Sequence, residues 1–172
     1  TEDEIGPTAS LRNVLRLEDA RQQYVDLGSP PEVSLTGPLS LMGWVRYAAS
    51  EVWYPALWGK GYEASGTYGL HLRPGNTPWF ELDAPDGTRH IYNPTDLSVT
   101  PGEWTHVAAT YDGAMMRVYI NGREAGPGKP LVTTIRQNNE PLRIGWLGSY
   151  GFLNGCVRDF ALYRRALSRE EV

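Results

Sequence analysis

The chain has 172 residues, a formal net charge of −4 and one cysteine. That length supports a single domain with a sizeable core. A lone thiol excludes an intrachain disulfide. The lack of a Lys/Arg cluster argues against nucleic acid as a partner. No apolar run approaches the ~20 residues of a membrane-spanning helix, so no membrane insertion is expected.

In chain order, "TEDEIGPTAS" is polar and aperiodic, and residues 1–12 read as a linker or tail ahead of a domain over 13–172. "NVLRLE" (13–18) and "YVDLGSP" (24–30) give two short strand candidates, followed by the longer apolar run "LSLMGWVRY" (39–47), which suits a central strand. "PALWGKG" and "TYGLHLR" (67–73) follow between Gly-containing loops, and "PWFELDAPDGTRHIY" (78–92) has a hairpin pattern with Pro85-Asp86-Gly87 at its turn.

The most legible stretch is "GEWTHVAATYDGAMMRVYINGREAG" (102–126). Val107, Ala109 and Tyr111 share one strand face, and Met116, Val118 and Ile120 form the apolar face of the next. Asn121-Gly122 suits a type I′ turn, where both central residues need positive φ. "PLRIGW" (141–146) and "CVRDFALY" (156–163) complete the strand candidates, and Ser168 with Glu171 forms a capping box for a short C-terminal helical turn. Closely spaced strands with turn signals between them predict an all-β sandwich or barrel. Cys156 reads as a small buried hydrophobe. Thr1 in place of a Met, no visible signal peptide, and a last residue inside a helical turn suggest a piece of a longer protein.

The meander resembles the signature of laminin-G-like domains of the concanavalin A-like lectin/glucanase superfamily. "YVDLGS" (24–29), "LSLMGWVR" (39–46), "GTYGLHL" (66–72) and "LRIG…FLNGCVRDFALYRRALSREEV" (142–172) agree in the same order. The resemblance implies a two-sheet antiparallel jelly-roll sandwich whose concave sheet often forms a binding groove. Fold by itself does not assign function.

Three functions compete within such a fold. Jelly-roll glucanases carry a Glu-x-Asp-x-x-Glu type of pattern, which is absent. "FELDAPDG" supplies Glu81 and Asp83 on one strand face without a third carboxylate, and a solvated edge strand is the simpler reading. His71, His90 and His106 show no metal-ligand spacing. A hydrolase or lyase is therefore the weakest expectation.

Sugar binding uses aromatic faces and hydrogen-bonding side chains. The resemblance makes Trp44 and Trp104 structural, as it does Tyr24, Tyr111 and Tyr163. The surplus rings are Trp53, Trp58, Trp79 and Trp146, with Tyr54, Tyr62, Tyr92 and Tyr150 near them in sequence, and Trp58 departs from the small polar residue usual before that Gly. Trp53, Trp58, Tyr62, Trp79, Trp146 and Tyr150, with Arg73, are the candidate ligand contacts; Arg89, Asp83 and Asn138 could add hydrogen bonds. The expectation is a non-catalytic carbohydrate-binding module of a larger secreted or cell-surface bacterial protein. Its partners would be a polysaccharide or surface glycan and the neighbouring domains of the parent protein. The alternative is a protein-contact, adhesion or spacer module, in which the same rings form an apolar patch.

The resemblance also implies a structural calcium ion between an N-terminal segment and the last long strand. Asp19 matches a frequent ligand position, carbonyls near Gly28 and Ser29 could add oxygens, and Asp159 lies in the last strand. Arg158 stands where the family has its Asp, bringing a positive charge towards that site.

Overall fold

A computed structural model describes residues 9–11, 14–48, 54–62 and 65–172. The first strands are β1 (Ala9–Leu11), β2 (Leu15–Leu17), β3 (Val25–Asp26), β4 (Leu39–Tyr47) and β5 (Ala56–Lys60). Then come β6 (Tyr68–Leu72), β7 (Pro78–Asp83), β8 (Arg89–Tyr92), β9 (Thr105–Tyr111) and β10 (Met115–Ile120). The last are β11 (Arg123–Glu124), β12 (Lys129–Pro130), β13 (Leu142–Ile144) and β14 (Gly155–Tyr163).

They build two antiparallel sheets. One has eight strands, ordered β1-β14-β4-β9-β10-β11 with β2 on β14 and β12 on β10; the other has six, ordered β3-β13-β5-β6-β7-β8. This is the jelly-roll sandwich that the sequence predicts. One correction concerns the N-terminus: Ala9–Leu11 pairs with Phe160–Leu162, so the larger sheet begins inside the segment read as a tail.

Alternation decides which residues meet between the sheets. Leu41, Val45, Val107, Ala109, Tyr111, Met116, Val118 and Val157 point inward from the larger sheet, facing Trp58, Tyr68, Leu70, Phe80, Leu82 and Ile144 of the smaller one. The predicted meander forms with its predicted faces, pairing Met116 with Tyr111 and Ile120 with Val107. Asn121 and Gly122 take φ of 51° and 71°, as a type I′ turn requires. Buried tyrosines carry their hydroxyls to the rim of the core. Tyr68 donates to the Val33 carbonyl and Tyr111 to that of Thr133, each at 2.7 Å, fastening the long loops over the sandwich. At the C-terminus the Ser168 N–H donates to Glu171 Oε2 at 2.8 Å, closing a single turn.

Candidate functional site

Because Leu70, Leu72, Phe80 and Leu82 face the core, their strand neighbours must face outward. His71 on β6 and Trp79, Glu81 and Asp83 on β7 therefore share the outer face of the six-stranded sheet, with Arg89 of β8 beside Asp83. Two glycines open this face. Gly59 and Gly69 pair across β5 and β6, and a Cβ on Gly59 would lie 2.6 Å from Leu147 Cδ1 and 2.8 Å from the Gly69 Cα. The bare backbone of Gly59 lets the loop between β13 and β14 lie directly on the sheet, carrying Leu147 and Tyr150, while a Cβ on Gly69 would stand 2.7 Å from His71 Nε2 and crowd its pair with Glu81.

The centre of the face is an ionic network. His71 Nε2 lies 3.2 Å from Glu81 Oε1, and Arg89 Nε lies 3.2 Å from Asp83 Oδ1 and 3.9 Å from Glu81 Oε2. The Tyr150 hydroxyl donates to Glu81 Oε2 at 3.4 Å, and its ring packs 4.3 Å from that of His71. Burial works to raise the Glu81 pKa, but His71 and then Arg89 outweigh it and hold the carboxyl below its ordinary value. Burial pushes Asp83 the other way, upward, against Arg89. Burial and the Glu81 charge also push the Tyr150 phenol up, so it stays protonated and a donor. Both carboxylates are already engaged by cations. β7 is interior rather than a solvated edge, and Glu81 and Asp83 are buried, which corrects the simpler reading of that strand.

Around this network stand aromatic rings. Tyr62 meets Tyr150 edge-on at 4.7 Å, and Tyr54 meets Trp79 edge-on at 5.4 Å. The Arg73 guanidinium lies 5.2 Å from the Trp79 ring centre and 6.0 Å from that of Tyr54, and it donates to Asn93 Oδ1. Tyr62, Arg73, Trp79 and Tyr150, all expected as ligand contacts, thus converge on one face. Trp146 sits on the same face nearer the β3 edge. It stacks on Phe152 at 5.3 Å and 7°, beside Tyr24, with Arg143 5.0 Å away.

Trp58 is a correction. Its ring is 0% exposed, faces the opposite sheet and packs 5.5 Å from Phe160, so it is core. Trp53 lies outside the described residues. Trp44 and Trp104, expected to be structural, and Tyr24, 41% exposed, correct the reading in the other direction: none is part of the core between the sheets. Tyr54, a surplus ring outside the candidate contacts, joins this face, and sequence reasoning misses the pairing of His71 with Glu81. The alternation in "YGLHL" and "PWFELD" was the available signal.

The three residues expected at calcium do not assemble. Leu17 at the end of β2 pairs with Gly155 at the start of β14, four residues and about 13 Å from Asp159 at about 3.3 Å per residue, and the chain leaves β2 on the side away from Asp159 into the short 3-10 turn Asp19–Arg21. The Gly28 carbonyl accepts from Leu142 N–H, and next to it buried Lys60 donates from Nζ to Ser29 Oγ at 2.6 Å and to the Glu140 carbonyl. A tethered ammonium already occupies that corner. Arg158 turns away to the outer face of the larger sheet, beside Trp44 and Trp104. The residues present do not fit the ion, and no group of three or more His, Cys, Asp or Glu that could hold a metal occurs among the described residues. Adding calcium or EDTA is accordingly expected to move the melting temperature by less than about 1 °C, since an ion that binds the folded state would raise it. A calcium-dependent rise of several degrees in a thermal scan would show that a site exists.

No helix among the described residues is long and apolar enough to cross a membrane. Pappalysin-1 of Mus musculus is 30% identical over 79 residues, which are 44% of this chain and 5% of that protein. The chain thus spans about a twentieth of the length of the curated relatives it matches. The CBM40 of Ruminococcus gnavus IT-sialidase, solved with α2,3 sialyllactose, superposes with a TM-score of 0.78 at 15% identity, covering 96% of each chain. The NanB sialidase of Streptococcus pneumoniae gives 0.75 at 16% identity, covering 97% of this chain and 28% of that one. These likenesses establish the architecture. Residues 19–172 match the family description "Concanavalin A-like lectin/glucanases superfamily", and the chain belongs to that family as a laminin-G-like domain.

Proposed function

We propose that this chain is a non-catalytic carbohydrate-binding module of a larger secreted or cell-surface protein, and that it holds glycans on the outer face of its six-stranded sheet. The observation that carries this reading is the convergence of Tyr54, Tyr62, Arg73, Trp79 and Tyr150 there, drawn from strands and loops distant in sequence. Aromatic faces take the C–H face of a pyranose, while the guanidinium and phenols bond its hydroxyls. The ionic network beneath braces this surface rather than reacting: Glu81 is held ionised by His71 and Arg89, so it has no proton to donate to a glycosidic oxygen. A superposable module that carries α2,3 sialyllactose supports a glycan as the ligand class.

Affinity gels with a panel of polysaccharides test the reading. Retardation by at least one is expected, with Trp79→Ala weakening it by about tenfold or more, equivalent to about 1.4 kcal/mol. Tyr150→Phe keeps the ring and is expected to weaken it less than Tyr150→Ala does. Failure to bind any polysaccharide, or equal binding by Trp79→Ala and Tyr150→Ala, would remove the proposal and leave protein contact as the function of these rings.

A further inference from the structure

The outer face of the eight-stranded sheet carries a second arrangement, on the far side of the sandwich. Strand register places Arg158 of β14 beside Trp44 of β4, and Trp44 beside His106 of β9. Val45 pairs with Thr105, which brings Arg46 level with Trp104. The outcome is an alternation of guanidinium and indole. The Arg158 guanidinium lies 5.2 Å from the Trp44 ring centre and 5.0 Å from that of Trp104, and the Arg46 guanidinium lies 5.4 Å from Trp104. Two open depressions meet this surface. One, of about 600 Å³, is lined by Trp44, Trp104, His106, Asn121, Gly122 and Val172. The other, of about 250 Å³, includes Arg16, Arg46 and Cys156 in its wall.

Neither guanidinium here has a carboxylate within 3.5 Å among the described residues. Arg89, Arg117, Arg143 and Arg165 each hold a carboxylate within 3.3 Å. Arg46 instead has only Cys156 Sγ, at 3.6 Å, as a polar side-chain contact among the described residues. Among the described residues Arg158 has only its neighbour Asp159, at 3.7 Å, as a carboxylate partner, and its Nε makes no hydrogen bond to any of them. A chain of net charge −4 therefore keeps two weakly compensated cations together, both against indole faces. Burial holds His106 below its ordinary pKa, so that imidazole is neutral at physiological pH and the guanidiniums supply the charge.

These features select a ligand. β4 lies between β14 and β9, so its backbone is already paired and a peptide cannot add to it as a strand. What the face offers is ring surfaces and planar cationic donors. Trp44 and Trp104 are diagonal neighbours, about 7–8 Å apart in an antiparallel pair, a spacing that admits two adjacent rings of one saccharide chain. Guanidinium forks match carboxylate and sulfate oxygens.

We propose that this face is a second glycan site, selective for saccharides whose pyranose rings bear a carboxylate or a sulfate. The module would then grip glycans on both sides. The proposal rests on the carbohydrate-binding reading above only in taking sugar as the ligand class.

The test is titration calorimetry on the whole chain with polygalacturonate (carboxylate), dextran sulfate (sulfate), dextran (neutral) and poly-glutamate (acidic peptide). At least one acidic polysaccharide is expected to bind more tightly than dextran, and which of them binds names the charged group. Arg46→Gln/Arg158→Gln and, separately, Trp104→Ala are each expected to weaken that binding about tenfold or more. Raising NaCl from roughly 50 to 500 mM should weaken it further, because exposed ion pairs are screened. The double-arginine variant keeps both indoles, so a folding defect in Trp104→Ala does not decide the matter. Glycan binding that depends on Trp79 but is indifferent to both sets of variants would overturn this proposal and leave the first site standing. Equal binding of poly-glutamate, unaffected by Trp104→Ala, would show charge attraction alone and overturn it too. Binding to no saccharide of any kind would remove both proposals together.

Discussion

Replacing Glu81 with alanine is expected to destabilise the fold by about 3–5 kcal/mol, the usual consequence of stripping one member from a buried ionic group. Glu81 is 5% exposed and His71 is fully buried, so water cannot compensate the imidazole when the carboxylate goes. Arg89 would keep Asp83, at 3.2 Å, which limits the loss. Urea unfolding at pH 7 measures it, and a change below about 0.5 kcal/mol, the range of ordinary surface substitutions, would show that the network contributes nothing. The pH dependence supplies a second readout. Glu81 has a folded-state pKa below its ordinary 4.5, so its contribution is fully present above that value and lost as pH falls through the folded pKa. Asp83 acts oppositely. Its folded-state pKa lies above 3.8, so the folded form binds the proton more tightly and stability falls as pH rises through that window. Glu81→Gln removes the first effect and only a lesser part of the second, whose largest cause is burial. Its stability should therefore decline less steeply than the wild type's on acidification below pH 4.5, and an unchanged acid limb would mean Glu81 is not held ionised as described.

This network also shows how far sequence reasoning reaches. Alternation alone places Glu81 and Asp83 on one face of β7 and sets Val107, Ala109 and Tyr111 against Met116, Val118 and Ile120, because period 2 is a local property of extended chain. Turn chemistry does the same for Asn121-Gly122, where the need for positive φ is local too. Which face is solvated is not local. Glu81 is covered because the loop from Gly145 to Tyr150 folds back over the sheet, Gly59 admits that loop, and Gly69 leaves room for His71 and Glu81 only once β5 and β6 have paired. The surface tryptophans mislead for a related reason. Trp44 alternates correctly with Val45, but a half-buried ring over a guanidinium and a ring in the core read alike in sequence until the opposite sheet is known. Arg158 is the clearest case: its identity is odd for the family, and its location against Trp44 and Trp104 follows from register across three strands.

Trp58→Ala is expected to cost about 3–5 kcal/mol, the range for emptying a large aromatic from a packed interior, against a total stability of about 5–15 kcal/mol. The ring is accommodated by an absence across the core. A Cβ on Gly43 of the facing sheet would stand 3.2 Å from Trp58 Cη2 and 3.2 Å from the Phe160 Cα, so Gly43 and Trp58 form one space-filling pair. Two consequences separate this account from a general core defect. Gly43→Ala should destabilise the wild type yet cost measurably less in the Trp58→Ala background, where the ring it would crowd is gone. The resulting coupling in a double-mutant cycle should be 0.5 kcal/mol or more, as for residues in direct contact. Trp58→Phe should cost less than the alanine change, since it keeps an apolar ring and removes an indole N–H that has no hydrogen-bond partner among the described residues. Strict additivity of Gly43→Ala and Trp58→Ala would mean the two positions are independent. Glycan binding completes the test. Below the melting transition, Trp58→Ala should bind within about twofold of wild type, because its ring faces the core while Trp79 faces solvent. A tenfold loss in the folded variant would return Trp58 to the ligand-contacting set from which its burial removes it.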